Sequence, residues 1–182
     1  LFDVDGVFIR NVTSDPALLD RARGIDVDGE GNIWVAHTPG GRIVGLTPDG
    51  ELLREFPVWP GRDAQPVDVL AASDGDLYVT DFYVGAVRLY AGPSQPNAVE
   101  PLGDFVLAGS GDLGGARSPL FHPHDGNLYV ASALSGAFLR YQGPDGADPG
   151  AFIDAFISMG DIPTDMILDE EGRFYVGIGE NG

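Results

Sequence analysis

The 182-residue chain contains no cysteine and no lysine. Without cysteine it has no disulfide, no thiolate metal ligand and no thiol nucleophile. All ten basic residues are therefore arginines, and the three histidines stand at His37, His122 and His124. No Ser-His-Asp grouping with recognisable local context is present. Against these absences stand 28 acidic residues, most of them aspartates, and a net charge of −18. Such a charge repels nucleic acid and anionic lipid, so neither nucleic acid nor membrane insertion is expected. No signal peptide or apolar span is visible, and the start at Leu1 reads as a mature or trimmed product. The aspartate excess suggests an extracellular or cell-surface setting in a calcium-bearing or saline medium. Many of these aspartates (Asp28, Asp49, Asp74, Asp125, Asp145) fall in turns, where a carboxylate caps backbone amides.

One phrase recurs four times: GNIWVAHTPGGRIVGL, GDLYVTDFYVGAVRLY, GNLYVASALSGAFLRY and GRFYVGIGENG. Trp34, Tyr78, Tyr129 and Tyr175 hold the matching aromatic position. A period of about 45 residues with period-2 alternation, and no helical pattern, predicts an all-β β-propeller of four-stranded antiparallel blades in one domain, residues 1–182. Blade 1 is expected over about 23–58, blade 2 over 66–109 and blade 3 over 118–158. Pro/Gly-rich insertions at 93–104 and 143–150 fall between the last two strands of a blade, away from the axis.

The fourth copy holds only two strands, TDMILD and RFYVGIG. The N-terminal LFDVDGVFIRNV matches the second half of a repeat, Asp5-Gly6 aligning with Asp49-Gly50 and VFIRNV with ELLREF. Blade 4 is thus expected to combine 163–182 with 1–12, a closure that removes exposed edges. The alternatives are blades outside this chain and half-blades completed by neighbouring molecules, so that self-association through the terminal strands is one expected partner mode.

The signature, most intact in the first copy as VDGEGNIWVAHTPGGRIVGLTPDGELLREF, resembles NHL-repeat and senescence-marker/gluconolactonase-like β-propellers over Arg23 to Gly182. Those families usually have six blades, so the resemblance implies that this chain is a four-bladed ring or part of a larger one. It also implies that function lies at the mouth of the central channel. The corresponding positions are Arg23, His37, Asp81, Tyr83, Arg117, Asp165, Glu180 and Asn181, with Thr38, Asp68, Phe82, Ser118, Leu134 and Thr164 beside them. This polar set suits a protein partner, a small molecule or a glycan, and the leading expectation is a non-catalytic recognition, scaffold or assembly module.

The alternative is a calcium-dependent lactonase-like hydrolase, with Asp81, Asp165 and Glu180 as Ca²⁺ ligands and Asn181 beside them. The family places a carboxylate ligand in PDGM before an innermost strand. This chain has Pro163-Thr164-Asp165-Met166 there, with threonine at the ligand position. DVDGEGN at 26–32 lacks the bidentate glutamate of an EF-hand and reads as a hairpin turn. His122 and His124 share a face at the end of a strand, and His37 is the histidine placed for general-base chemistry of a streptogramin-lyase-like kind.

Overall fold

The computed structural model describes residues 1–13, 15–96 and 98–179. Blade 1 comprises β1 (Ala22–Val27), β2 (Ile33–His37), β3 (Arg42–Leu46) and β4 (Leu52–Pro57). Blade 2 comprises β5 (Pro66–Ala71), β6 (Leu77–Asp81), β7 (Ala86–Tyr90) and β8 (Pro101–Val106). Blade 3 comprises β9 (Ala116–Phe121), β10 (Leu128–Ser132), β11 (Ala137–Tyr141) and β12 (Phe152–Ser158). The last two strands are β13 (Ile162–Leu168) and β14 (Phe174–Gly179). Each complete blade is an antiparallel meander in chain order. β1 packs on β5, β5 on β9 and β9 on β13, so the innermost strands follow one another around a common axis. This is the all-β propeller architecture that the repeat predicts.

The second strands explain why the repeated phrase is so apolar. β6 and β10 are buried at every residue, because each lies between two other strands of its sheet and has a blade on both faces. Outer strands β4 and β12 are largely exposed and tolerate charge. The aspartates before each second strand have two tasks. Asp28 Oδ1 accepts from the amides of Glu30 and Asn32, while Asp28 Oδ2 accepts the Trp34 indole N–H at 2.9 Å. Asp74 takes the Asp76 amide and the Tyr78 hydroxyl, and Asp125 the Asn127 amide and the Tyr129 hydroxyl. These turns close on Gly31, Gly75 and Gly126 at positive φ, a conformation that a Cβ disfavours.

The aromatics so held point toward the next blade. Trp34 packs with Val69, Leu77 and Tyr90 of blade 2. Tyr78 packs with Leu128, Val130 and Tyr141 of blade 3, its ring edge-on to Phe121 at 4.8 Å. Tyr129 packs with Met166, Phe174 and Val176 of β13 and β14. Each such burial stabilises the fold by about 1.5–3 kcal/mol. Tyr175 holds the fourth equivalent position and is 54% exposed.

The N-terminal segment pairs with itself. Among the described residues β13 and β14 form a two-stranded sheet, and β1 and β13 do not pack together as consecutive innermost strands do. Residues 1–10 instead form a small hairpin of their own, with Phe2 bridging Phe8, the N-terminal ammonium donating to the Arg10 carbonyl, and Asp3 Oδ1 accepting from the Asp5 and Val7 amides. Arg10 anchors it by donating to the carbonyls of Pro48 (2.7 Å) and Asp49 (3.1 Å) in the β3–β4 turn. Among the described residues no ladder joins residues 1–12 to 173–179, and the hairpin sits beside blade 1. Within blade 2 the fourth strand comes earlier than FVLAG suggests, because Gly109 and Gly111 turn the chain away after Val106.

Candidate functional site

Every innermost strand carries one extra residue where it reaches the same end of the channel. The irregularities fall between Ala22 and Ile25, Pro66 and Asp68, Ala116 and Pro119, and Pro163 and Asp165. A bulge of this kind frees a residue from the ladder and re-aims side chains. The residues so placed are Arg23 and Gly24, Val67 and Asp68, Arg117 and Ser118, and Thr164 and Asp165. Together they line one cavity of about 220 Å³. It continues along the axis into a space of about 360 Å³ that adds Asp26, Leu70, Pro119 and Met166. The charges alternate by blade: arginine from blades 1 and 3, aspartate from blade 2 and from β13.

This site is electrostatically unfinished. Asp68 is pushed up to about 7, first by burial and then by the Asp165 and Asp26 carboxylates, against which the Val69 amide works. Burial and the neighbouring Arg23 lower the Arg117 guanidinium. Among the described residues neither Arg23 nor Arg117 makes an ion pair, and Arg117 Nε is buried without a hydrogen-bond partner. The Arg117 guanidinium lies 5.3 Å over the Phe82 ring, which fixes it and shields it from water. Gly24 has to be glycine because a Cβ there would collide with the Asp68 side chain and backbone. Two guanidiniums with free donors beside two carboxylates suit a small ligand that combines an anionic group with hydroxyl or amine donors. A carboxyl held near neutrality can also accept or give a proton.

The structure brings Arg23, Arg117 and Asp165 together, with Asp68, Ser118 and Thr164 of the neighbouring candidates. It places Asp81 elsewhere: fully buried at the end of β6, with Oδ1 accepting from the Tyr83 and Val84 amides. His37 closes a 3₁₀ turn by accepting from the Gly40 amide, and it faces a separate hollow with Ala17, Asp20 and Arg42. Burial and Arg42 lower its pKa. Tyr83 is exposed on the rim, edge-on to Phe82. Glu180 and Asn181 lie outside the described residues. His122 stacks on Phe174 and contacts the Gly172 carbonyl through Nε2, while its Nδ1 takes the His124 amide, so the pair buttresses β14. Residues 26–32 are the end of β1 and the hairpin turn after it, as the missing EF-hand glutamate indicates.

Among the described residues no group of three or more His, Asp or Glu side chains is placed to hold a metal. Asp81 Oδ1 is taken by its turn and its partnerless Oδ2 is buried outside the cavity lining, Asp165 Oδ1 accepts from the Met166 amide, and Thr164 has no charge to offer. The described residues do not form a calcium site by themselves. What the sequence reading undervalued is Asp68: it is one of several turn and strand aspartates, and only the crowding of Gly24, Asp26 and Asp165 around it sets it apart.

No family model matches the chain, and no curated protein matches it. Solved structures do. A catalytically inactive virginiamycin B lyase from Staphylococcus aureus with quinupristin is similar over 95% of this chain and 53% of its own length, with 16% identity and a TM-score of 0.69. A gluconolactonase from Xanthomonas campestris is similar over 88% of this chain and 59% of its own, with 20% identity and a TM-score of 0.66. The WD40 β-propeller domain of Doa1 is similar over 86% and 47%, at 12% identity and a TM-score of 0.65. The chain thus spans about half the length of these propellers. At such identities the likeness is one of fold, and it agrees with the resemblance to gluconolactonase-like propellers seen in the repeated phrase.

Proposed function

We propose that this chain is a recognition propeller that takes a small polar ligand at the channel mouth, with its anionic group between Arg23 and Arg117 and its donors on Asp68 and Asp165. The observation that carries this reading is the shared cavity with four alternating charges, its two guanidiniums without an ion pair among the described residues. Bulges on four successive strands hold these side chains on rigid elements, which limits the ordering cost of binding. The acidic, lysine-free surface supports an extracellular or cell-surface setting for such a module.

One observation favours a second reading. Asp68, pushed up to about 7 inside that cavity, is suited to serve as a general base on a lactone or ester. The gluconolactonase among the similar structures makes a cyclic ester a reasonable substrate class to test. Under this reading Arg117 and Arg23 stabilise the developing carboxylate.

Calorimetric titration with a panel of hydroxycarboxylates and sugar acids, run beside a lactone and ester turnover assay with and without a chelator, separates the two. Saturable binding without turnover supports the recognition module. Turnover that disappears in Asp68→Asn overturns it in favour of the hydrolase, and a panel with neither binding nor turnover rejects both.

A further inference from the structure

The four innermost strands share one register where they reach the channel mouth. Ile25, Val69, Pro119 and Met166 oppose Val35, Val79, Val130 and Val176. Beyond the bulge, Ala22, Pro66, Ala116 and Pro163 oppose His37, Asp81, Ser132 and Ile178. Two residues of each strand lie between those marks, so the bulges build two levels along the axis. The level nearer the strand starts is Arg23, Val67, Arg117 and Thr164, and the next is Gly24, Asp68, Ser118 and Asp165. Charge at the mouth is therefore sorted by depth as well as by blade.

The two signs stay apart. Among the described residues no ion pair joins Arg23 or Arg117 to Asp68 or Asp165. After burial, the neighbouring charges that act on Asp68 are Asp165 and Asp26, and the one that acts on Arg117 is Arg23, so like crowds like at each level. Phe82 in the β6–β7 loop holds the Arg117 guanidinium at the rim, 5.3 Å from its ring.

The inner level is short of donors. Asp68 Oδ1 accepts from the Val69 amide and Asp165 Oδ1 from the Met166 amide, while each Oδ2 has no hydrogen-bond partner among the described residues. Asp26 is different, because its Oδ1 accepts from the Val27 amide and its Oδ2 from the Ala71 amide. Ser118 lies between Asp68 and Asp165 in blade order and is 6% exposed. Its hydroxyl lines both parts of the cavity and has no partner among the described residues. Two carboxylate oxygens and a buried hydroxyl call for one cationic group with several N–H donors, which is what an ammonium offers. Successive residues rise about 3.3 Å along a strand, so a ligand that meets both levels carries its two charges only a few bonds apart.

Taking the mouth as the ligand site proposed above, we infer that its ligand is a zwitterion of the free α-amino acid class. The carboxylate rests on Arg23 and Arg117, and the ammonium donates to Asp68, Asp165 and Ser118. The space of about 220 Å³ at this level suits one such small molecule, being below the about 300–1,000 Å³ of drug-sized sites. A hydroxy acid satisfies the rim and leaves the carboxylates without a cation. An amine does the reverse.

Calorimetric titration with a set of free L-α-amino acids, each beside its matching 2-hydroxy acid and its matching amine, tests this. At least one amino acid is expected to bind about tenfold or more tighter than both counterparts, the worth of a charge-assisted hydrogen bond. Asp68→Asn/Asp165→Asn, with circular dichroism as a check on folding, is expected to bring that amino acid down to its hydroxy acid and to leave the hydroxy acid as it was. Hydroxy acids that equal their amino acids and need both arginines overturn the zwitterion while leaving the polar mouth site in place. Amino-acid binding that is indifferent to the two asparagines also overturns it. A panel in which nothing binds overturns it together with the site itself.

Discussion

The Tyr129 hydroxyl donates to Asp125 Oδ2 at 2.9 Å, while Asp125 Oδ1 holds the Asn127 amide of the same turn. A core aromatic and a surface turn are thereby made one unit, and Asp28 with Trp34 and Asp74 with Tyr78 repeat it. Tyr129→Phe removes the hydroxyl partner and is expected to cost about 1 kcal/mol. Tyr129→Ala also empties the junction with Met166 and Phe174 and is expected to cost about 3–5 kcal/mol in a denaturant melt. A loss below about 1 kcal/mol for the alanine variant contradicts the interblade packing described above.

Gly45 lies directly across from Trp34, and a Cβ there would come within 2.5 Å of the indole ring. In blade 2 the same pair is Leu89 and Tyr78. Gly45→Ala is expected to cost about 1–3 kcal/mol by overpacking. Adding Trp34→Tyr should recover part of that loss, so a double-mutant cycle in thermal melts will show a coupling of opposite sign to the single effects. Additive effects would mean that the two residues do not share this space.

Asp68 gives the fold a pH dependence whose sign follows from its surroundings. Its folded-state value of about 7 lies above the ordinary 3.8, so the folded chain holds this proton more tightly than the unfolded one. Its contribution to stability is full at low pH and is lost as pH rises between those two values. Asp68→Asn is therefore expected to raise the Tm at pH 8 by more than at pH 4, by a few degrees for a chain of this size. Equal shifts at both pH values would remove the argument for a strained carboxyl at the mouth.

Gly24→Ala addresses the same site sterically. The new Cβ has to displace Asp68, so ligand affinity at the mouth is expected to drop about tenfold or more, which corresponds to about 1.4 kcal/mol. Titration calorimetry on the variant, with circular dichroism as a check on folding, reads this directly. Unchanged affinity in a folded variant would place the ligand elsewhere.

Much of the fold is legible in the recurrence of Trp34, Tyr78, Tyr129 and Tyr175, because a buried second strand and its capped turn are both local and repeat with the period. The destination of residues 1–10 is not. Their pattern of Asp, Gly and alternating apolar residues specifies an outer hairpin, and backbone pairing is the same whichever edge receives it. Candidate positions divided along similar lines. Arg23, Arg117 and Asp165 sit at the bulges within the innermost strands and reach the cavity. Asp81 ends a second strand, where the side chain turns back to cap its own loop. The standing of Asp68 depends on Gly24 and Asp26 from another blade, a proximity that no local pattern encodes.

The most direct test of a polar recognition site at the mouth is a ligand-observed NMR screen of small carboxylates, sugar acids and neutral sugars, run in parallel on the natural chain and on Arg23→Ala/Arg117→Ala. The account predicts that anionic compounds bind the natural chain and lose their saturation-transfer signal in the folded double variant, while neutral sugars bind neither. Anionic binders that are unaffected by loss of both arginines would contradict it.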